Sequence, residues 1–147
     1  MASRQLSLVA AVLLVLALAA ACGDDASGEV QWSANVSGPV VAHAAKGDGS
    51  GDAALIEGVL TVSSGCLLVN GFPVVWPYGT TWDPGAQSVR LSDGQVVALG
   101  DRVSGGGGYP SLSALAAAFA EPLADCPMNQ YQEVAMFNAG ERITVSK

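Results

Sequence analysis

Few residues in this chain are equipped for chemistry. There are three cysteines, Cys22, Cys66 and Cys126, and one histidine, His43, among 147 residues. A lone histidine with no motif around it excludes most histidine-based nucleophilic catalysis. The acids Glu57, Asp83, Asp93, Asp101, Glu121 and Glu133 are scattered as solvated or turn residues. No spacing among them selects a pair for general acid and base work. There is no C-x-x-C pair, and His43 is remote from every cysteine, so no metal site or cofactor is expected. Asp48 and Asp52 sit between glycines, but the remaining ligands of a calcium loop are missing. Gly105 to Gly108 is not a phosphate loop, because no Lys-Ser or Lys-Thr follows it. A bulge or sharp bend at a barrel corner accounts for it better. The expectation is a protein that is not an enzyme.

One group of side chains could bind something. Trp76, Tyr78, Trp82 and Asp83 fall in a single Pro- and Gly-punctuated stretch, with Thr80 and Thr81 between them. Aromatic rings beside polar groups form surfaces for a protein partner, a saccharide or an anion. The competing expectation is that Trp76 fills the core and the loop covers the mouth of the fold.

The elements that must carry these residues begin with a targeting segment. Arg4 supplies a positive start, and Leu6 to Ala21 hold no charge. That run is shorter than the roughly 20 residues a bilayer span needs. With its small residues at 19–21 it reads as a secretory signal peptide over 1–21. Leu18-Ala19-Ala20-Ala21-Cys22 also resembles the lipobox of bacterial lipoproteins. That resemblance implies cleavage before Cys22, a diacylglyceryl or triacylated cysteine, and a protein held by lipid on the outer face of the cell membrane.

Export sets the redox compartment. With Cys22 lipidated, Cys66 and Cys126 are expected to form one disulfide closing a loop of about 60 residues. Formal net charge is −7. An acidic chain does not present the basic face that nucleic acid needs, so no nucleic-acid partner is expected.

Residues 22–52 are rich in Gly, Ser, Asp and Ala and read as a flexible linker after the lipidated Cys22. Trp32, Val36, Val40 and Val41 allow a short strand between Gln31 and Val41. Residues 53–147 read as one β-rich domain. Ala54 to Val62 alternates with period two, as a strand does. Asn70-Gly71 between Cys66–Val69 and Phe72–Trp76 predicts a type I′ hairpin, with Pro73 at an edge or a bulge. Asp93-Gly94 predicts a second hairpin of the same kind. Leu112, Leu115, Ala116 and Phe119 lie at helical spacing, and Pro122 stops that helix. Glu133–Phe137 and Glu141–Val145, around Asn138-Ala139-Gly140, predict a last hairpin.

This order predicts a mainly β fold, a small OB-like β-barrel with one helix before the last hairpin. The alternative is a β-sandwich or open β-roll with one helix. Gly65-Cys66-Leu67, Trp76-Pro77 with Gly79, Gly100-Asp101-Arg102-Val103 and Gly105–Gly108 together resemble small exported bacterial β-barrel proteins with no assigned activity. The resemblance covers roughly residues 55–108 and implies a barrel, not a reaction. The expected role is a non-catalytic envelope accessory or protein-binding module. A lipoprotein binding a small saccharide or anion, or a purely structural envelope component, is the alternative.

Overall fold

The structure is a computed structural model that describes residues 34–43, 52–115 and 126–147. The signal segment, Cys22, Trp32, Asp48, Glu121 and the predicted helix beyond residue 115 lie outside the described residues. So does the His43 side chain.

Five strands close into a mixed barrel. They are β3 (Ala54–Ser63), β4 (Cys66–Val69), β5 (Phe72–Trp76), β9 (Arg102–Gly108) and β10 (Ala135–Phe137). β3 pairs antiparallel with β4, β4 with β5, β10 with β9, and β9 with β3. The parallel pair β5–β10 completes the ring. This is the small OB-like barrel the strand order predicts, not a sandwich or an open roll. β3 is long enough to serve two neighbours. Ala54–Val59 pair with β9 and Leu60–Ser63 with β4.

The continuous apolar runs of β4 and β5 follow from burial on both faces. Leu67, Val69, Val74 and Trp76 point into the barrel with Ile56, Leu60, Val103 and Phe137. Cys66, Leu68 and Val75 point outward, into a second cluster with Leu115, Cys126, Met128 and Val134. That outer layer comes from the short helix α1 (Leu112–Leu115), a 3-10 turn at Met128–Gln130 and the predicted disulfide Cys66–Cys126.

The Asn70-Gly71 turn has φ of +53° and +83°, as a type I′ turn requires. Pro73 is not at an edge or a bulge. It faces Leu68, one step from the closing pair Val69–Phe72. That step is a non-hydrogen-bonded pair, so β4 does not need the missing N–H.

A three-stranded sheet of β6 (Thr81–Asp83), β7 (Ser88–Arg90) and β8 (Val96–Ala98) sits between β5 and β9 in sequence. Its Val89 and Val97, with Leu91 beyond β7, join the barrel core. β6 lies in the stretch read as loop. At three residues it is too short to show a period. The Asp93-Gly94 hairpin forms, but its turn differs from the expected one. Gly94 alone has positive φ, at +88°, and Leu91 both accepts from the Gly94 N–H and donates to Gln95. That is a three-residue loop with a left-handed glycine.

Three expectations need correction. The folded body does not begin at residue 53. β1 (Ala34–Ser37) and β2 (Val40–His43) form a hairpin, and β2 adds parallel to β5. Val40, Val41 and Ala42 are buried. Their burial comes from strands more than 30 residues away in sequence, which composition cannot register. Next, the glycine run is neither a bulge nor a bend. Gly105–Gly108 lie within β9, paired in regular register. A Cβ at Gly107 would collide with the Met136 carbonyl and Ile56, and one at Gly105 would press the Phe137 ring. On the other face, Gly106 and Gly108 lie under the carboxylates of Glu141 and Asp52. Glycine is there for close approach.

Finally, the last hairpin does not form. β10 and β11 (Thr144–Ser146) both pair antiparallel with β9. Phe137 faces Gly107 and Thr144 faces Ser104, so residues 138–143 bulge out between two halves of one interrupted strand. Asn-Ala-Gly has the composition of a hairpin turn, and only the β9 pairing distinguishes the two arrangements.

Candidate functional site

The interrupted strand lines an opening in the surface of the described structure. Bulges re-aim side chains at barrel rims and beside sites. Here the bulge walls a cavity of about 230 Å³. Gly140, Glu141, Arg142 and Ile143 form one wall, Leu91, Ser92 and Asp93 of the β7–β8 turn another, and Pro77 and Thr80 the third. Gly140 has φ of +84°, which lets the chain reverse there without a Cβ penalty.

The lining is chemically mixed. Asp93 accepts from the Gln95 backbone N–H at 3.0 Å and from Gln95 Nε2 at 2.6 Å. These bonds, with a smaller contribution from the charge of Arg142, hold the Asp93 carboxyl below its ordinary range. It is therefore an ionised acceptor at neutral pH. Gln95 Nε2 also donates to the Ile143 carbonyl, tying the turn to the bulge. Glu141 accepts from Asn138 Nδ2 at 3.2 Å, and the same amide donates to the Asp52 carbonyl at 3.0 Å.

Thr80 is the unusual member. It is 4% exposed, and its hydroxyl has no hydrogen-bond partner among the described residues. Buried polar groups are paired in the large majority of cases. This oxygen and Trp76 Nε1 are the two buried side-chain polar atoms without a partner among the described residues, and neither is open to the cavity.

The residues singled out in the sequence do not converge. Trp76 is 0% exposed, inside the barrel, stacked on Phe137 with ring centroids 5.5 Å apart. It is not part of any surface, which corrects its assignment to a partner or ligand face. Small barrels have few large side chains, and this one is spent on the core. Trp82 is half-buried against Gly38 of the β1–β2 turn, and its backbone N–H donates to Ser37 Oγ at 3.3 Å. Asp83 is half-buried and accepts from the Ala86 N–H at 3.0 Å, so it serves a turn. Only Tyr78, 46% exposed, presents a ring to solvent. The four do not form one platform.

The other acids are occupied in structural ways. Glu57 pairs with Arg102 at 3.0 Å on the surface. Asp101 accepts from Lys147 Nζ and from the Ala98 N–H, both at 2.9 Å, and these bonds hold its carboxyl below the ordinary range. Glu133 is exposed. Among the described residues no three of His, Cys, Asp and Glu converge to hold a metal ion.

Barrels of this kind bind oligomers on the outer face of their second and third strands. In this chain those strands are β4 and β5, and the disulfide-linked outer layer covers that face. The cavity lies elsewhere, at the rim between the bulge and the small sheet. Sequence reasoning placed Thr80 among the aromatics and missed Ser92 and Arg142, because the signal is the extra length between β10 and β11 and shows only against the β9 register. Compared with known proteins, the chain matches no protein family, no curated protein and no solved structure.

Proposed function

We propose that this chain is an exported envelope lipoprotein, anchored through Cys22, that works as a non-catalytic binding module for a small polar ligand. The cavity beside residues 140–143 is its site. One observation carries this reading, the opening of about 230 Å³ walled by three separate turns, with the exposed residues Ser92, Asp93, Glu141 and Arg142 in its lining.

Asp93→Asn and Arg142→Met test the reading. Both residues are exposed in the lining, so each change is expected to remove the stabilisation that a bound polar solute gives the wild type in thermal denaturation. Variants that respond to solutes as the wild type does sink the reading. Thr80→Val removes only the buried orphan hydroxyl and is expected to stabilise the fold by about 1 kcal/mol in urea denaturation.

Anchoring is tested separately. Cys22→Ser leaves the precursor unprocessed or frees the protein from the membrane fraction. Normal processing and partition of that variant refute lipidation. The disulfide supports export, because such bonds persist in oxidising compartments. The exposed Tyr78 ring supports a second reading, in which an envelope protein docks on the 77–83 segment.

A further inference from the structure

Resting on the lipid anchor at Cys22, we infer that the end of the barrel around the opening docks on the zwitterionic phospholipid headgroups of the membrane that holds the anchor. Ala34, the first residue of β1, pairs with His43 of β2. Ala42 pairs in parallel with Trp76 of β5, so the next step puts the His43 backbone beside Pro77. Neighbouring strands lie about 4.8 Å apart, which leaves Ala34 about 10 Å from Pro77. β10 runs parallel to β5 on its other side, with Met136 beside Val75, so Asn138 also comes level with Pro77. The bulge at 138–143 begins there. One end of β2, β5 and β10 therefore carries both the entry of the chain and two walls of the opening.

The reach of the anchor limits how this end can point. Cys22 to Ala34 is 12 residue steps. Fully extended, that many steps span at most about 42 Å. A folded body of this size has a radius of gyration of about 13 Å, equivalent to a sphere about 34 Å across. With the entry end outward and the body resting on the bilayer, the chain crosses a quarter of the circumference, about 27 Å, and then descends about 17 Å. That path of about 44 Å exceeds full extension, which also carries the largest entropy cost. Sideways and inward orientations remain, and the side chains choose between them.

Tyr78, next to Pro77, is 46% exposed. A ring with a hydroxyl at its tip settles at the level of the headgroups. Arg142 and Ser92 are exposed in the lining. Ser92 lies against the same turn as Tyr78, because a Cβ on Gly79 would stand 3.1 Å from the Ser92 Cβ. A guanidinium pairs with phosphate through its planar fork. Asp93 and Glu141, the two carboxylates here, are exposed and accept from Gln95 and Asn138. They stay negative, so the headgroup that fits is zwitterionic, with a phosphate for Arg142 and a cation for the carboxylates. One ring and one guanidinium make a weak contact alone. The anchor supplies the rest by keeping the rim at high effective concentration over the bilayer.

The test uses the processed, lipid-modified protein in phosphatidylcholine vesicles that carry some lipid with a nitroxide on its headgroup. One fluorophore is attached at Ser92→Cys on the rim, or at Ala86→Cys in the exposed turn at the other end of the β6–β7 hairpin. With Cys66 and Cys126 paired and Cys22 acylated, the introduced thiol reacts alone. The rim label is expected to be quenched at least about twofold more than the turn label. Since no second protein is present, that result assigns the rim to lipid and not to a protein partner.

Tyr78→Ala combined with Arg142→Met is expected to bring the two labels to equal quenching, and both side chains are exposed, so the fold is kept. Equal quenching before that change, or rim quenching that survives it, overturns the docking while the anchor stands. Protein that stays out of the vesicle fraction altogether overturns the anchor as well.

Discussion

Trp76→Ala is expected to remove about 3–5 kcal/mol of stability, the usual cost of truncating a fully buried Trp or Phe. Domains of this size are stable by only about 5–15 kcal/mol, so roughly a fifth or more of the fold's margin rests on one ring. The ring is 0% exposed and stacks on Phe137 at an interplanar angle of 28°. It also stands where β5 meets β2, since Trp76 pairs with Ala42. Trp76→Phe is the informative companion. The indole N–H has no hydrogen-bond partner among the described residues. Phenylalanine keeps most of the apolar contact and deletes that donor, so its cost is expected to stay below about 1.5 kcal/mol. Urea denaturation of both variants measures this. A loss under about 1 kcal/mol for Trp76→Ala would place the ring outside the core and revive the surface it was first assigned to.

Replacing both Cys66 and Cys126 by alanine is expected to cost about 4 kcal/mol, from the loop entropy of a 60-residue separation. The loss has a location. The bond fastens Cys126 and the turn at Met128–Gln130 over the outer face of β4 and β5, where Leu68, Val75, Leu115, Met128 and Val134 form their own cluster. The inner cluster does not include either cysteine. Hydrogen exchange in the double variant is therefore expected to quicken first around Met128–Tyr131 and last in β3 and β9. Uniform quickening, or a stability loss under about 1 kcal/mol, would mean that the outer layer holds without its covalent link.

The same two clusters explain why β4 and β5 were legible. Cys66–Val69 and Phe72–Trp76 are apolar on both faces, and Asn70-Gly71 forces a turn between them whatever surrounds it. Local chemistry sufficed there. It also sufficed for β3, whose alternation puts Ile56 and Leu60 inside and leaves Leu55 and Val59 exposed. It failed for the aromatic loop. Trp76 and Tyr78 are two residues apart and alike in type, yet one is core and the other surface. Which one turns inward depends on β10 and β2, which lie about 60 and 35 residues away in sequence.

Residue type and spacing along the chain were enough for the acidic character, the order of the barrel strands, the type I′ turn at Asn70-Gly71, the place of the hairpin at Asp93-Gly94 and the pairing of Cys66 with Cys126. Each rests on composition, on neighbours within a few residues, or on the count of available partners. Tertiary pairing alone assigned β1 and β2 to the sheet, set the glycines of β9 at close approach, and turned the expected final hairpin into one strand interrupted at residues 138–143. It alone assembled the cavity, because Thr80, Asp93 and Arg142 come from three turns that meet only when the barrel closes. A strand's partner and a cavity's walls are long-range contacts, and a local pattern carries no information about which distant residue will supply them.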